Sequence, residues 1–297
     1  SYEDAKQYIK NNEGPLVVKA DGLAAGKGVA MCENAKEAMK AVTACMKEKT
    51  FGAAGEKVVL EELLNGIEVS VFAFSDGNHL SHLVSACDYK RLLDDDKGPN
   101  TGGMGSYTPP EFWTSDMEDL IQETIMAPTV MAMEAEGTPY RGVLYAGLML
   151  TDSGPKVLEY NCRFGDPEAQ VILPRLTTDL TDIAIACTKN TLDELEVSWS
   201  KKHFVNVVMA SAGYPHSHET GSIIRGLNDI DDDSMLFHAS TKSEYGTPEP
   251  LTNGGRVLSV VGTGHSLNEA RQHAYKNVSK IYFQGGQYRK DIALVNR

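Results

Sequence analysis

The longest apolar stretch in this chain is eight residues, VLYAGLML at positions 143–150. A helix crossing a bilayer needs ~18 or more, so no such span is expected. The interior must instead be assembled from short strands and one-sided helices. At 297 residues the length suits about two domains, with three small ones also possible. Apolar residues make up 41% and charged ones 23%, the balance of a globular chain rather than a disordered one. Acidic side chains outnumber basic ones 41 to 28, for a net charge of −13 with no basic run, which argues against a nucleic-acid binder. The first residues, SYEDAKQYIK, lack the apolar core of a signal peptide. Five cysteines, odd in number, widely spaced and without a C-x-x-C pair, predict reduced structural thiols in a cytoplasmic protein.

Along the chain, Ser1 with Asp4 predicts a capped helix to about residue 11. A buried strand follows at 15–19, then the glycine-rich DGLAAGKG and a second short strand. Asn34 is placed to cap a helix whose Ala35, Ala38, Met39, Val42, Cys45 and Met46 share one face. A strand at 57–62 ends in two carboxylates, so the first ~65 residues read as a small α+β lobe. Next come an alternating strand at 68–74, a turn at Asp76-Gly77 and a return at 79–86. Residues 88–110 read as one long loop, of the kind that is usually functional or disordered. A helix over 115–136 and strands at 143–150 and 156–161 follow. Asp166-Pro167 is placed to cap and open a helix to 172, and further helices are expected over 178–195. Beyond Trp199 the chain turns β-rich, at 204–210, 235–239 and 256–262, before a Ser266/Glu269-capped helix to about 282. The acidic triplets at 94–96 and 231–233 are read as solvated loops.

Several strings carry chemistry. DGLAAGKG lets backbone N–H groups approach phosphate oxygens, with Lys27 supplying charge and Lys19 aimed at the same mouth. It is neither a Walker A loop nor G-x-G-x-x-G, and taken alone a plain hairpin connection fits it equally well. Glu159, Asn161 and Arg163 alternate onto one strand face. There a carboxylate and an amide oxygen suit a hard cation, and the arginine suits a carboxylate or phosphoryl group; the competing reading is a polar strand edge. Asn100-Thr101-Gly102-Gly103 offers free N–H groups, and Lys90-Arg91 precedes it. Glu61-Glu62 and Glu68 are placed to meet a base and a ribose, although a structural role is the commoner one for each alone. The eight histidines do not cluster, and no nucleophile elbow appears.

In order, VVKADGLAAGKGV (17–29), EELLNGIEVSVF (61–72), GPNTGGMGSY (98–107), LEYNCRFGDPEAQ (158–170) and GGRVLSV (254–260) resemble the phosphoribosylamine–glycine ligase family, the glycinamide ribonucleotide synthetases of purine biosynthesis. The likeness spans essentially the whole chain. It implies an α+β ATP-grasp fold: a small lid lobe (1–64), a larger lobe (65–195) and a C-terminal α/β domain (196–297). It implies ATP with Mg2+ (or Mn2+), and glycine and phosphoribosylamine as substrates. Carried over, Lys19, Gly26, Lys27 and Gly28 match the phosphate-binding strand and flap. Glu61, Glu62 and Leu64 match the adenine hinge, and Glu68 the ribose carboxylate. Glu159 and Asn161 match the metal ligands, and Arg163 the arginine beside the acyl phosphate. Lys90, Asn100, Thr101, Gly102, Gly103 and Asp166 would face the amino-acid and phosphoribosylamine site, with Arg163, Lys27 and Lys90 as the catalytic cations.

Cys87-Asp88-Tyr89-Lys90 stands where the family usually reads Gln-Asp-His-Lys, and Ala293 where it ends in glycine. Residues 145–150 lack the extra metal carboxylate that many ATP-grasp enzymes carry on that strand. The family's leading Rossmann-like domain has no counterpart in these residues, so the chain is expected to be part of a longer enzyme, cooperating with or fused to another purine-pathway activity. The alternative is an MgATP-binding fragment that is inactive as a ligase without that domain.

Overall fold

Helix α1 (Tyr2–Asn11) starts where the Ser1–Asp4 pair predicts it, each side chain bonding the other's backbone N–H. Strand β1 (Leu16–Ala20) lies between β2 (Val29–Cys32) and β3 (Val58–Glu62) in a three-stranded antiparallel sheet. Helix α2 (Ala35–Met46) is capped by the Asn34 side chain, which accepts from the Glu37 N–H at 3.0 Å. Alternation gives the sheet two different faces. Leu16, Val18 and Cys32 pack on Ala5 and Ile9 of α1 and Ala38 and Val42 of α2. The register pairs Val17 with Met31 and Glu61, and Lys19 with Val29 and Val59, so these residues share the opposite face. There Val29, Met31 and Val59 stay exposed. The structure, a computed structural model, describes residues 1–12, 14–24 and 28–294, and the chain divides into two units, Ser1–Gly66 and Ile67–Arg297.

In the second unit β4 (Ile67–Asp76), β5 (Val84–Asp88), β6 (Arg91–Leu93), β7 (Lys97–Asn100) and β8 (Gly105–Thr108) come first. Helices α3 (Ser115–Ile121) and α4 (Ala127–Ala135) follow, then β9 (Arg141–Thr151), β10 (Gly154–Asn161), α5 (Ala169–Ile172) and α6 (Leu180–Lys189). Strands β11 (His203–Ala210), β12 (Met235–His238), β13 (Thr241–Lys242), β14 (Leu251–Thr252) and β15 (Arg256–Gly264) precede α7 (Leu267–Val278). Eight strands form one antiparallel sheet in the order β10-β9-β4-β5-β8-β11-β15-β12, while β6–β7 and β13–β14 are separate hairpins. Among the described residues no helix is long and apolar enough to cross a membrane.

Strand β4 is buried on both faces, which is more than its expected alternation implies. Val69, Val71 and Ala73 pack against Ile121, Ile125, Met126 and Val130. On the other side Phe72 meets Val171 and Ile172 of α5, and Phe74 meets Ile183 and Ala186 of α6. The expected 115–136 helix is interrupted by a π-helical turn at Gln122–Met126. Pro128 lacks an N–H and its ring crowds the preceding turn, so the wider turn accommodates it.

Three other expectations give way. The 88–110 loop contains β6, β7 and the central strand β8. The small residues of β8 carry no apolar signal, yet Ser106 and Thr108 are fully buried because their hydroxyls donate to the Pro167 and Ser85 carbonyls, both at 2.6 Å. Asp166 does not cap α5: its carboxylate accepts from Arg256 at 3.0 Å and Gln170 at 3.3 Å. The acidic triplets are only partly the solvated loops expected: Asp95, Asp96, Asp232 and Asp233 are exposed, but partners are present. Asp94 and Asp96 accept from Lys290 and Arg289, and Asp231 pairs with Lys276 and Lys280 at 2.9 and 2.7 Å. The five cysteines form no disulfide; Cys162 is exposed and the others are buried.

Candidate functional site

In the first unit, Lys19 and Glu61 form an ion pair of 2.6 Å on the open sheet face, diagonal neighbours on β1 and β3. Glu62 is exposed at the end of β3, and Leu64 is half-buried just after it. Gly28 closes the flap base, its carbonyl accepting the Ala20 N–H at 2.8 Å. A Cβ at Gly28 would stand 2.7 Å from that of Ala24, so the position has no room for a side chain. Gly26 and Lys27 lie outside the described residues.

In the second unit, register gathers the remaining residues. Ser70 pairs with Ala86 on β5 and Gly147 on β9, and Gly147 pairs with Glu159 on β10. Because paired residues share a face and the period is two, Glu68, Ser70, Asp88, Tyr145, Glu159 and Asn161 project from one side of the sheet. At its edge Asn161 Nδ2 donates to Glu159 Oε1 at 2.9 Å. Arg163 is exposed; its guanidinium donates to the Phe164 carbonyl at 2.9 Å, and no carboxylate pairs with it among the described residues. Glu168 folds back over the same face and is buried, accepting from Ser70 at 2.9 Å and Tyr145 at 3.1 Å. Burial and the Glu168 charge push the Tyr145 phenol up.

Lys90 is paired with Glu68. Burial lowers its affinity for a proton, but the charges of Asp88, Glu68 and Glu159 outweigh that and hold the ammonium firmly protonated. Asp88 is also moved up: burial raises its pKa, and Glu168 and Glu68 add to this against the pull of Lys90. The result is a half-exposed cation paired with Glu68 and within the field of Asp88 and Glu159.

The Asn100–Gly103 loop is held from three directions. The Thr101 N–H and hydroxyl both donate to the Lys90 carbonyl at 2.8 Å. The Gly102 N–H donates to the Tyr214 hydroxyl at 2.8 Å, and its carbonyl accepts from Arg256 at 2.6 Å. Arg256 also bonds the Asp166 carboxylate, joining the two strings that sequence reasoning assigned to substrate. Gly103 has φ +108°, and a Cβ there would overlap the Pro167 ring. Sequence reasoning gave no role to Arg256, Tyr214, Glu168 or Asp88. Three of the four sit inside or beside strings already singled out, GGRVLSV, RFGDPEAQ and DYK; Tyr214 carried no such signal. Two departures from the family pattern meet: the Ala293 N–H donates to the Tyr89 hydroxyl at 2.9 Å.

The family described as phosphoribosylglycinamide synthetase, ATP-grasp (A) domain matches residues 1–169, and its C domain matches residues 204–295. The phosphoribosylamine–glycine ligase of Caldanaerobacter subterraneus is 46% identical over 98% of this chain and 69% of its own length. The trifunctional purine biosynthetic protein adenosine-3 of Gallus gallus is 51% identical over 98% of this chain and 30% of its own. The crystal structure of the Thermotoga maritima phosphoribosylamine–glycine ligase superimposes with a TM-score of 0.89 at 37% identity, covering 98% of this chain and 72% of that one. The chain thus spans about two thirds of the stand-alone relative and under a third of the multifunctional one. With such identity across almost its full extent, and a family match over residues 1–169 that takes in both Lys19 and the Glu159–Asn161 pair, the chain belongs to the phosphoribosylglycinamide synthetase family, whose fold is the ATP-grasp.

Proposed function

We propose that this chain carries the catalytic lobes of an ATP-dependent ligase joining glycine to 5-phosphoribosylamine. A glycine carboxylate oxygen attacks the γ-phosphorus of ATP and ADP leaves, giving glycyl phosphate. The amine of phosphoribosylamine then attacks the carbonyl carbon, phosphate departs, and the nitrogen loses a proton to leave the amide of glycinamide ribonucleotide. The observation that carries this reading is the pairing of Glu159 with Asn161 on the sheet face where Lys90 sits among carboxylates.

The donor set fits a hard divalent cation: a carboxylate and an amide side by side at an exposed strand end, all oxygen once the amide turns its carbonyl outward. When bound, Mg2+ (or Mn2+) would neutralise phosphate charge there. Arg163, which no carboxylate pairs with among the described residues, would hold the transferring phosphoryl group. Lys90, kept charged by its neighbours, orients a substrate carboxylate or phosphate. The Asn100–Gly103 loop offers backbone N–H groups, and Asp166, tied to Arg256, limits where that loop lies. In the first unit, the exposed Val29, Met31 and Val59 suit a nucleobase, Glu61, Glu62 and Leu64 its polar edge, and Lys19, Gly26, Lys27 and Gly28 the phosphates. Glu68 would take ribose hydroxyls. Catalysis is then mainly positioning and charge neutralisation.

We read residues 1–64 as the lid, 65–195 as the large lobe and 196–297 as the C-terminal domain. Unpaired thiols accord with the cytoplasm, and multifunctional relatives support fusion to, or cooperation with, other purine-pathway enzymes. The test is phosphate release from ATP and glycine, expected only when phosphoribosylamine is added. Equal turnover with unrelated amines would overturn the substrate assignment. A second reading, nucleotide binding without turnover, is favoured by the 69% coverage of the stand-alone relative. Calorimetric ATP binding by an inactive chain, with activity restored by the relative's N-terminal segment, would select it.

A further inference from the structure

The β6–β7 hairpin carries Lys90 at its entry and Asn100–Gly103 at its exit, yet its strands pair only with each other and lie outside the main sheet. Something else must set where it lies. Four hydrogen bonds tie it to residues 289–291: Arg289 donates to the Arg91 carbonyl at 3.0 Å and to Asp96 at 2.9 Å, the Asp95 N–H donates to Asp291 at 3.0 Å, and the Lys290 N–H donates to Asp94 at 2.7 Å. Arg289 is the hub. It is fully buried, donates twice more to Asp291 at 2.8 and 2.7 Å, and stacks over the Tyr89 ring at 4.7 Å, one residue before Lys90. Asp95 and Asp96 have φ of +59° and +50°, consecutive left-handed residues with Cβ atoms. Such backbone persists only where the surroundings over-determine it, and here the two residues are those that Asp291 and Arg289 hold.

We propose that Arg289 is a positioning residue: its guanidinium fork locks the β6–β7 hairpin onto the C-terminal segment, and so sets the placement of Lys90 and the Asn100–Gly103 loop for substrate. This rests on the ligase reading for its kinetic consequence, not for the clamp itself. Arg289→Lys keeps the buried charge but not the planar fork, so a role of charge alone is rescued and a role of geometry is not. As a buried substitution it risks misfolding, and Asp96→Ala, at a half-exposed carboxylate, releases the hairpin from outside.

Hydrogen exchange and steady-state kinetics on the full chain, supplied with the relative's N-terminal segment if turnover requires it, decide the matter. Asp96→Ala is expected to speed exchange over residues 91–103 and leave β4, β9 and β11 protected. It is expected to raise the KM for glycine or phosphoribosylamine about tenfold, within the ~100-fold that misplacement can produce, at an unchanged KM for ATP. Arg289→Lys should do the same if it folds. Unchanged exchange over 91–103 overturns the clamp, and faster exchange with unaltered or uniformly lowered kinetic constants overturns the positioning role. If the unsubstituted protein shows no glycine- and phosphoribosylamine-dependent phosphate release, the ligase reading fails instead, and the exchange result alone decides whether Arg289 orders the hairpin.

Discussion

Asp76, at the end of β4, is fully buried, and its carboxylate accepts four hydrogen bonds: from the Asn78 and His79 N–H groups at 2.9 and 2.8 Å, the His79 ring at 3.1 Å and the Leu192 N–H at 3.1 Å. Burial alone would raise its pKa, but these donors outweigh it and hold the group at about 2 against an ordinary 3.8. At ~1.4 kcal/mol per pH unit, that depression contributes ~2 kcal/mol of stability at neutral pH. The sign follows from the folded value being the lower one. The contribution is complete above pH ~4, about half gone by pH 3, and lost as pH falls through 2. Asp76→Asn should therefore lower stability by ~2 kcal/mol or more at pH 7, because its amide nitrogen also faces a backbone N–H. For a unit of this size that is a Tm drop of roughly 4–8 °C. The assay is urea unfolding of both proteins from pH 7 to pH 2.5, followed by near-UV circular dichroism. The gap should close on the acid side. His79 runs the other way: its pKa is raised by Asp76, so its contribution is present below the ordinary value and lost as pH rises through the raised one. It cannot mimic an acid-side loss. A gap of the same size at pH 7 and pH 2.5 would refute the linkage, and no gap at pH 7 would refute the bonding argument itself.

Glu159→Ala should abolish Mg2+-dependent turnover by ~100-fold or more while moving Tm little, since exposed positions rarely shift stability by more than about 0.5 kcal/mol; unchanged kinetics would remove the metal role. Gly103→Ala forces a Cβ into the Pro167 ring at a positive φ and should destabilise by ~2 kcal/mol or more, read by thermal unfolding. Arg256→Met cuts the bonds to Gly102 and Asp166 and should cost about tenfold in kcat/KM for the amine substrate at unaltered ATP affinity; equal loss for both would mean general damage.

Helix starts at Ser1, Asn34 and Ser266 were legible because their signals are local: each side chain accepts the N–H that its spacing predicts. Strand β8 was not legible. Apart from Tyr107, the residues from Gly105 to Thr108 that fill the middle of an eight-stranded sheet are small, and the burial of Ser106 and Thr108 is made tolerable by hydroxyl bonds to distant carbonyls. Periodicity measures apolar surface, and this strand has little. The acidic triplets, exposed in part as expected, hid their partners for a related reason. A run of three aspartates reads as a solvated loop until its partners are known, and those of 94–96 lie almost two hundred residues on, at 289–291.

The site divides along the same line. Residues on one strand, such as Glu159 and Asn161, could be placed together by counting in twos, whereas Glu68, Asp88, Lys90 and Glu168 meet only through the register of β4 and β5 and a loop folding back over them. What sequence supplied there was a series of glycine-rich strings, and the structure explains why those strings carry glycine. Gly103 approaches Pro167 too closely for any side chain, which brings RFGDPEAQ against GPNTGGMG and leaves Asp166 in reach of Arg256. The departures at Tyr89 and Ala293 follow the same logic. Read singly they cast doubt on two substrate contacts. Joined by one hydrogen bond, with a buried arginine stacked on the tyrosine ring, they form a single structural contact rather than two separate changes.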